Sequence, residues 1–165
     1  MRRAVLPVPS AEDALRVARS LGRDGVLLCG ERQELPIEGF DLGNSPGEFR
    51  REVVQGRTLV LCTTNGTRAL VSVTGTRETV VASFLNLRAV VEHLVRRGAD
   101  PVFVCAGRDG LVTLEDFLCA GEAVTRLASL WERTTGRRRG GAARAPLELG
   151  DGALVAQALW GVWAP

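Results

Sequence analysis

At 165 residues the chain is one domain by length, large enough to bury a full core without disulfide or metal staples. Apolar residues make up 45% and charged residues 24%, the balance of a soluble globular protein, and no apolar stretch reaches membrane-spanning length. The net charge is only +2, and Arg137, Arg138 and Arg139 supply three positives in one stretch, so the folded body is not basic enough for a nucleic-acid footprint.

Met1-Arg2-Arg3 runs into Pro7 and Pro9 with no signal-peptide core, so a cytoplasmic protein is expected. Arg3 to Val8 reads as a strand near a sheet edge, because Pro7 cannot donate to a ladder. Ser10 caps a helix with Asp13 three residues on, and Ala11, Ala14, Leu15, Ala18 and Leu21 keep helical spacing up to Gly22. Val26 to Cys29 is a second strand. The following stretch, Gly30 to Asn44, is long for a connection in a compact domain, which marks it as functional. Ser45-Pro46-Gly47-Glu48 is a helix start, with Phe49 and Val53 on the buried side.

Leu59 to Cys62 forms the third strand, and Thr63-Thr64-Asn65-Gly66-Thr67-Arg68 follows it directly. A strand, a tight polar turn and a helix N-terminus together aim unpaired N–H groups at one spot, which suits an anion. Thr79 to Phe84 reads as a fourth strand, and Asn86 caps a helix carrying Leu87, Val90, Val91, Leu94 and Val95 on one face. His93, the single histidine, falls on the polar side of that helix. Val102 to Cys105 reads as a fifth strand; Thr113 and Asp116 then open a helix burying Phe117, Leu118, Val124 and Leu127. Arg133 to Pro146 is expected to be a surface loop, and Asp151 to Trp160 a closing helix. Cys29, Cys62, Cys105 and Cys119 show neither a CxxC pair nor metal-type spacing; three of them close short apolar strands and read as small buried hydrophobes.

Strands alternating with helices call for an α/β fold with a mainly parallel sheet, whose ligands bind beyond the carboxyl ends of the strands. The polar residues gathered at those ends are Glu31 and Arg32, Thr63 to Thr67, Asn86, Arg108 and Asp109, with Asp41, Asn44 and Ser45 on the loop and Glu115 and Asp116 opening a helix. Hydroxyls and backbone N–H groups suit an anion, and arginines supply charge. The carboxylates suit a hard cation such as Mg²⁺, which takes oxygen ligands.

Several of these segments occur together in one order: Glu31-Arg32, Gly39-Phe40-Asp41-Leu42-Gly43-Asn44-Ser45-Pro46, Thr63-Thr64-Asn65-Gly66-Thr67, Ser83-Phe84-Leu85-Asn86, Cys105-Ala106-Gly107-Arg108, and Glu115-Asp116 before Cys119-Ala120-Gly121. In this the chain resembles the 2-phosphosulfolactate phosphatases, Mg²⁺-dependent hydrolases of the coenzyme M pathway. The resemblance implies a three-layer α/β/α fold and hydrolysis of a phosphate monoester on a small sulfonated acid. Asp41, Asn65 and Arg108 are then the expected catalytic residues. Arg32, Asn44, Ser45, Thr63, Thr64, Gly66, Thr67 and Asn86 are expected to hold the substrate and its phosphate, and Glu31, Glu115 and Asp116 the metal. Family members begin with a strand running into an Asp-Val-Leu-Arg-Ala-Thr-Thr-Thr-like segment, which Met1 to Val8 does not match, so that strand–helix unit is expected to be absent. A homodimer partner would cover the edge this leaves. The expected partner is a small anionic phosphorylated substrate, not nucleic acid or membrane. The alternative is a degenerate relative that binds an anion or a protein partner without turnover.

Overall fold

A computed structural model describes residues 4–135 and 147–164 of the chain. The stretch expected as an Arg-rich loop begins as helix through Thr135, and its remainder lies outside the described residues. The chain divides into two compact units, Met1–Thr76 and Arg77–Pro165. The fold is α/β, with a four-stranded, mostly parallel sheet and six α-helices among the described residues.

In the first unit, strand β1 (Val5–Pro7) leads into α1 (Ala11–Leu21), then β2 (Val26–Arg32) and the short β3 (Leu35–Pro36). A 3₁₀ turn (Pro46–Glu48) and α2 (Arg51–Val54) precede β4 (Thr58–Cys62) and α3 (Gly66–Ser72). The sheet order is β1-β4-β2-β3. β4 pairs in parallel with β1 on one side and β2 on the other, and β3 turns back antiparallel onto β2. β1 is therefore an edge strand, as Pro7 requires. The helix boundaries of α1 follow from its caps: the Ser10 hydroxyl accepts from the Asp13 N–H at 3.0 Å, and Gly22 closes the far end at φ 79°. α1 seats Ala14 and Ala18 against Val26, Leu28, Val60 and Cys62, which with Val8 form this unit's core.

β2 and β4 approach so closely that a Cβ on Gly30 would stand 1.7 Å from the Cys62 carbonyl oxygen. Only glycine fits there. β2 is also longer than its apolar run suggests: it continues through Glu31 and Arg32 into a two-residue hairpin, so the expected Gly30–Asn44 loop is in part strand. The helix expected from Ser45 is broken into the 3₁₀ turn and α2.

The second unit holds α4 (Leu87–Arg97), α5 (Leu114–Thr135) and α6 (Asp151–Trp163). Val91, Val95, Leu127 and Trp131 form its core. α5 and α6 lie in contact at Gly121, where a Cβ would meet the Ala156 carbonyl oxygen at 2.1 Å. Two expected strands are not formed. Thr79 to Phe84 and Val102 to Cys105 join no ladder among the described residues, and Val81 and Val102 are 61% and 86% exposed. Apolar residues favour a strand only where a neighbouring strand takes up the backbone groups. Among the described residues, no helix is long and apolar enough to cross a membrane.

Candidate active site

The carboxyl ends of β2 and β4 meet at Glu31. The residue is 9% exposed, and its carboxylate accepts three hydrogen bonds from two separate segments. Oε1 accepts from the Thr64 N–H at 2.6 Å, while Oε2 accepts from the Thr64 hydroxyl and the Glu34 N–H, both at 2.9 Å. Burial alone would raise the Glu31 carboxyl pKa. The bonds from Thr64 and Glu34, with the Arg32 charge, outweigh that and hold it below the ordinary glutamate value. The Thr64 hydroxyl in turn accepts from the Gln33 N–H at 3.0 Å.

The turn after β4 is tied internally. The Thr63 N–H donates to the Thr67 hydroxyl at 3.0 Å, and the Thr67 N–H donates to the Thr63 hydroxyl at 3.1 Å. The Thr67 hydroxyl spends its own hydrogen on the Thr63 carbonyl at 2.9 Å. This is reciprocal capping, with the side chains supplying what the first turn of α3 lacks. The backbone N–H groups of Thr63, Thr64 and Thr67 are therefore engaged, contrary to the expectation of an open row of donors. The hydroxyl hydrogen of Thr63 is the one in this turn without an acceptor among the described residues. Asn65 stands at the N-cap of α3 with no side-chain capping bond, and Gly66 is exposed beside it.

Asp41 does not stand with this group. It accepts from the Leu28 N–H at 2.7 Å, halfway along β2, and pairs with Arg23 through two bonds of 3.1 and 3.2 Å. These contacts strap the loop onto the sheet, helped by Gly30, whose N–H reaches the Leu42 and Gly43 carbonyls at 3.0 Å. Asn44 and Ser45 are exposed on that loop, and the Ser45 hydroxyl makes no capping bond. Arg32 is exposed at the end of β2, opposite Leu35.

The other expected residues belong to the second unit. The Asn86 side chain is spent locally: its Oδ1 accepts from the Ser83 N–H at 2.8 Å, and its Nδ2 donates to the Val81 carbonyl at 2.9 Å. Arg108 begins a tight turn closed by paired backbone bonds with Leu111 of 3.0 and 2.8 Å, with Asp109 and Gly110 both at positive φ. Asp116 in the first turn of α5 accepts from the Gly107 N–H at 2.7 Å, and Glu115 beside it is exposed. His93 pairs with Glu78 at 2.9 Å on the surface of the second unit.

No group of three or more His, Cys, Asp or Glu side chains that could hold a metal occurs among the described residues. Mg²⁺ does not demand such a cage, since one or two carboxylates with waters and substrate phosphate suffice. Asp116 keeps an oxygen beyond the one Gly107 engages, which fits that pattern. Glu31, with both oxygens engaged, fits it poorly.

A family model for 2-phosphosulpholactate phosphatase matches residues 2–164. The chain belongs to that family. It is 50% identical over 123 residues to the "Probable 2-phosphosulfolactate phosphatase" of Thermotoga petrophila, covering 74% of this chain and 52% of the relative. The protein of the same name from Caldanaerobacter subterraneus is 43% identical over 126 residues, or 76% of this chain and 52% of the relative. That of Clostridium acetobutylicum is 39% identical over 153 residues, 93% of this chain and 59% of the relative. The chain thus spans about half the length of the curated relatives it matches.

Proposed function

We propose that this protein is a phosphoric monoester hydrolase acting in the cytoplasm on 2-phosphosulfolactate or a similar small anionic phospho-acid. The observation that carries the reading is the family match across residues 2–164, which includes the rigid polar turn at the carboxyl end of β4. In this reading the Thr63 hydroxyl, the Asn65 amide and the exposed backbone at Gly66 meet the phosphoryl oxygens, where fixed dipoles stabilise charge without reorganising. Arg32, exposed at the end of β2, adds positive charge in the same unit. Arg108 and Asp116 are the second unit's candidates. Within the second unit, Asp116 would hold Mg²⁺ through one oxygen and water, and the chemistry such an ion supplies is charge neutralisation.

A second reading, anion binding without turnover, draws on one observation. Glu31 and Asp41, two of the four carboxylates expected at the metal or the reacting centre beside Glu115 and Asp116, are both engaged in holding backbone. Phosphate release with Mg²⁺ and with EDTA separates the two readings. Metal-dependent turnover supports the hydrolase, whereas saturable substrate binding with no release supports the binder.

A further inference from the structure

We propose that Glu31 is a positioning residue, the clamp that fixes the β4–α3 turn to the β2–β3 hairpin; its functional meaning rests on the phosphatase reading of that turn. Glu31 is buried, and its carboxylate ties together three donors, one from Glu34 three residues on and two from Thr64, 33 residues away in sequence. Such a carboxylate is built to hold backbone, and charge-assisted bonds of 2.6 to 2.9 Å are the strong kind. The hairpin it braces needs bracing. Gln33 and Glu34 occupy both central positions at φ 52° and 67°, where side chains are disfavoured and Asn-Gly is the usual choice. Their N–H groups are the ones captured, Gln33 by the Thr64 hydroxyl and Glu34 by Glu31.

The clamp also decides which groups face outward. Thr64 gives its N–H and its hydroxyl hydrogen to Glu31, so neither is left for a substrate oxygen. Thr64 is thus an internal strut, and the expected phosphate contacts reduce to its neighbours. In the same way Glu31 is removed from the metal ligands and placed behind the turn.

Amide hydrogen exchange on the 165-residue chain, read at single residues by NMR, tests this on the unsubstituted protein, Glu31→Gln and Thr64→Val. Glutamine keeps the shape but has one acceptor oxygen where the carboxylate has two, so its NH₂ faces the Thr64 N–H or else the Thr64 hydroxyl and Glu34 N–H. Exchange at Thr64 and Glu34 is expected to quicken at least tenfold in Glu31→Gln, and at Gln33 in Thr64→Val, with Ala14 and Ala18 in α1 unchanged. In the unsubstituted chain the Thr64 and Glu34 protection should persist at neutral pH and fall away only as pH drops below the ordinary glutamate range, a limb that Glu31→Gln lacks. Turnover of 2-phosphosulfolactate should fall through kcat at least tenfold in Glu31→Gln with little change in KM, and Thr64→Ser should restore what Thr64→Val loses. Unchanged protection at Thr64 and Glu34 in a folded Glu31→Gln overturns the clamp; should that variant not fold, unchanged Gln33 exchange in Thr64→Val overturns it. Absence of turnover in the unsubstituted chain overturns the phosphatase reading instead, and the exchange data then decide the clamp alone.

Discussion

Thr64 and Asp41 show how a polar residue that the sequence marks as a ligand can serve the fold instead. Thr64 commits its hydroxyl in both directions, donating to Glu31 and accepting from Gln33. Asp41 commits both oxygens, to Arg23 and to the Leu28 N–H. Asp41→Asn therefore removes the charge that Arg23 meets and weakens the strap across β2. Both partners of that ion pair are partly exposed, so solvent screens it, and the backbone bond carries most of the effect. A loss of about 1–2 kcal/mol in unfolding free energy is expected. Denaturant titration measures it, and kcat at saturating substrate should stay within about twofold. A collapse of kcat with unchanged stability would instead return Asp41 to the catalytic group.

At the scale of elements, the polar turn is positioned by the pairing of β2 with β4, and Gly30 sets how close that pairing is. With φ at 143° and the Cys62 carbonyl in the space of its missing side chain, Gly30 tolerates no substitution. Gly30→Ala should cost more than about 3 kcal/mol, enough to leave much of the chain unfolded in circular dichroism melts. Gly39→Ala, where nothing lies within 4 Å, serves as the comparison for a positive-φ glycine without a close neighbour. The elements legible from sequence were those with strong local signals: α1 between Ser10 and Gly22, α4 ending at Gly98, and the apolar runs of β2 and β4. The β2–β3 hairpin was not legible, because Gln33-Glu34 is no turn signature and its conformation is held by tertiary bonds from Glu31 and Thr64. Residue type pointed to Glu31, Thr63, Thr64 and Thr67, but which of their hydrogens and lone pairs were taken is a fact of three dimensions.

Across the whole molecule, all four cysteines are free thiols with pKa values raised by burial, Cys29 to about 11. For Cys29, the Asp41 and Glu48 charges add to the burial. At pH 8 such a thiol is thiolate at a level on the order of 0.1%, against roughly a tenth for an unperturbed one. Native-state labelling with a disulfide reagent should therefore leave Cys29 and Cys62 untouched until the first unit opens, while the half-buried Cys105 and Cys119 react sooner. Equal and rapid labelling of all four would contradict the core assigned to β2 and β4.

The polar turn at the end of β4 is where the phosphoryl group is proposed to bind. The measurement that tests it most directly is phosphate release from 2-phosphosulfolactate by this chain, with Mg²⁺ or EDTA, beside Asn65→Ala. Metal-dependent turnover is expected, falling at least about a hundredfold in Asn65→Ala, the scale of losing one oxyanion-type donor. Turnover undiminished by Asn65→Ala would place the chemistry elsewhere, and no release from the folded, unsubstituted chain would contradict the hydrolase assignment itself.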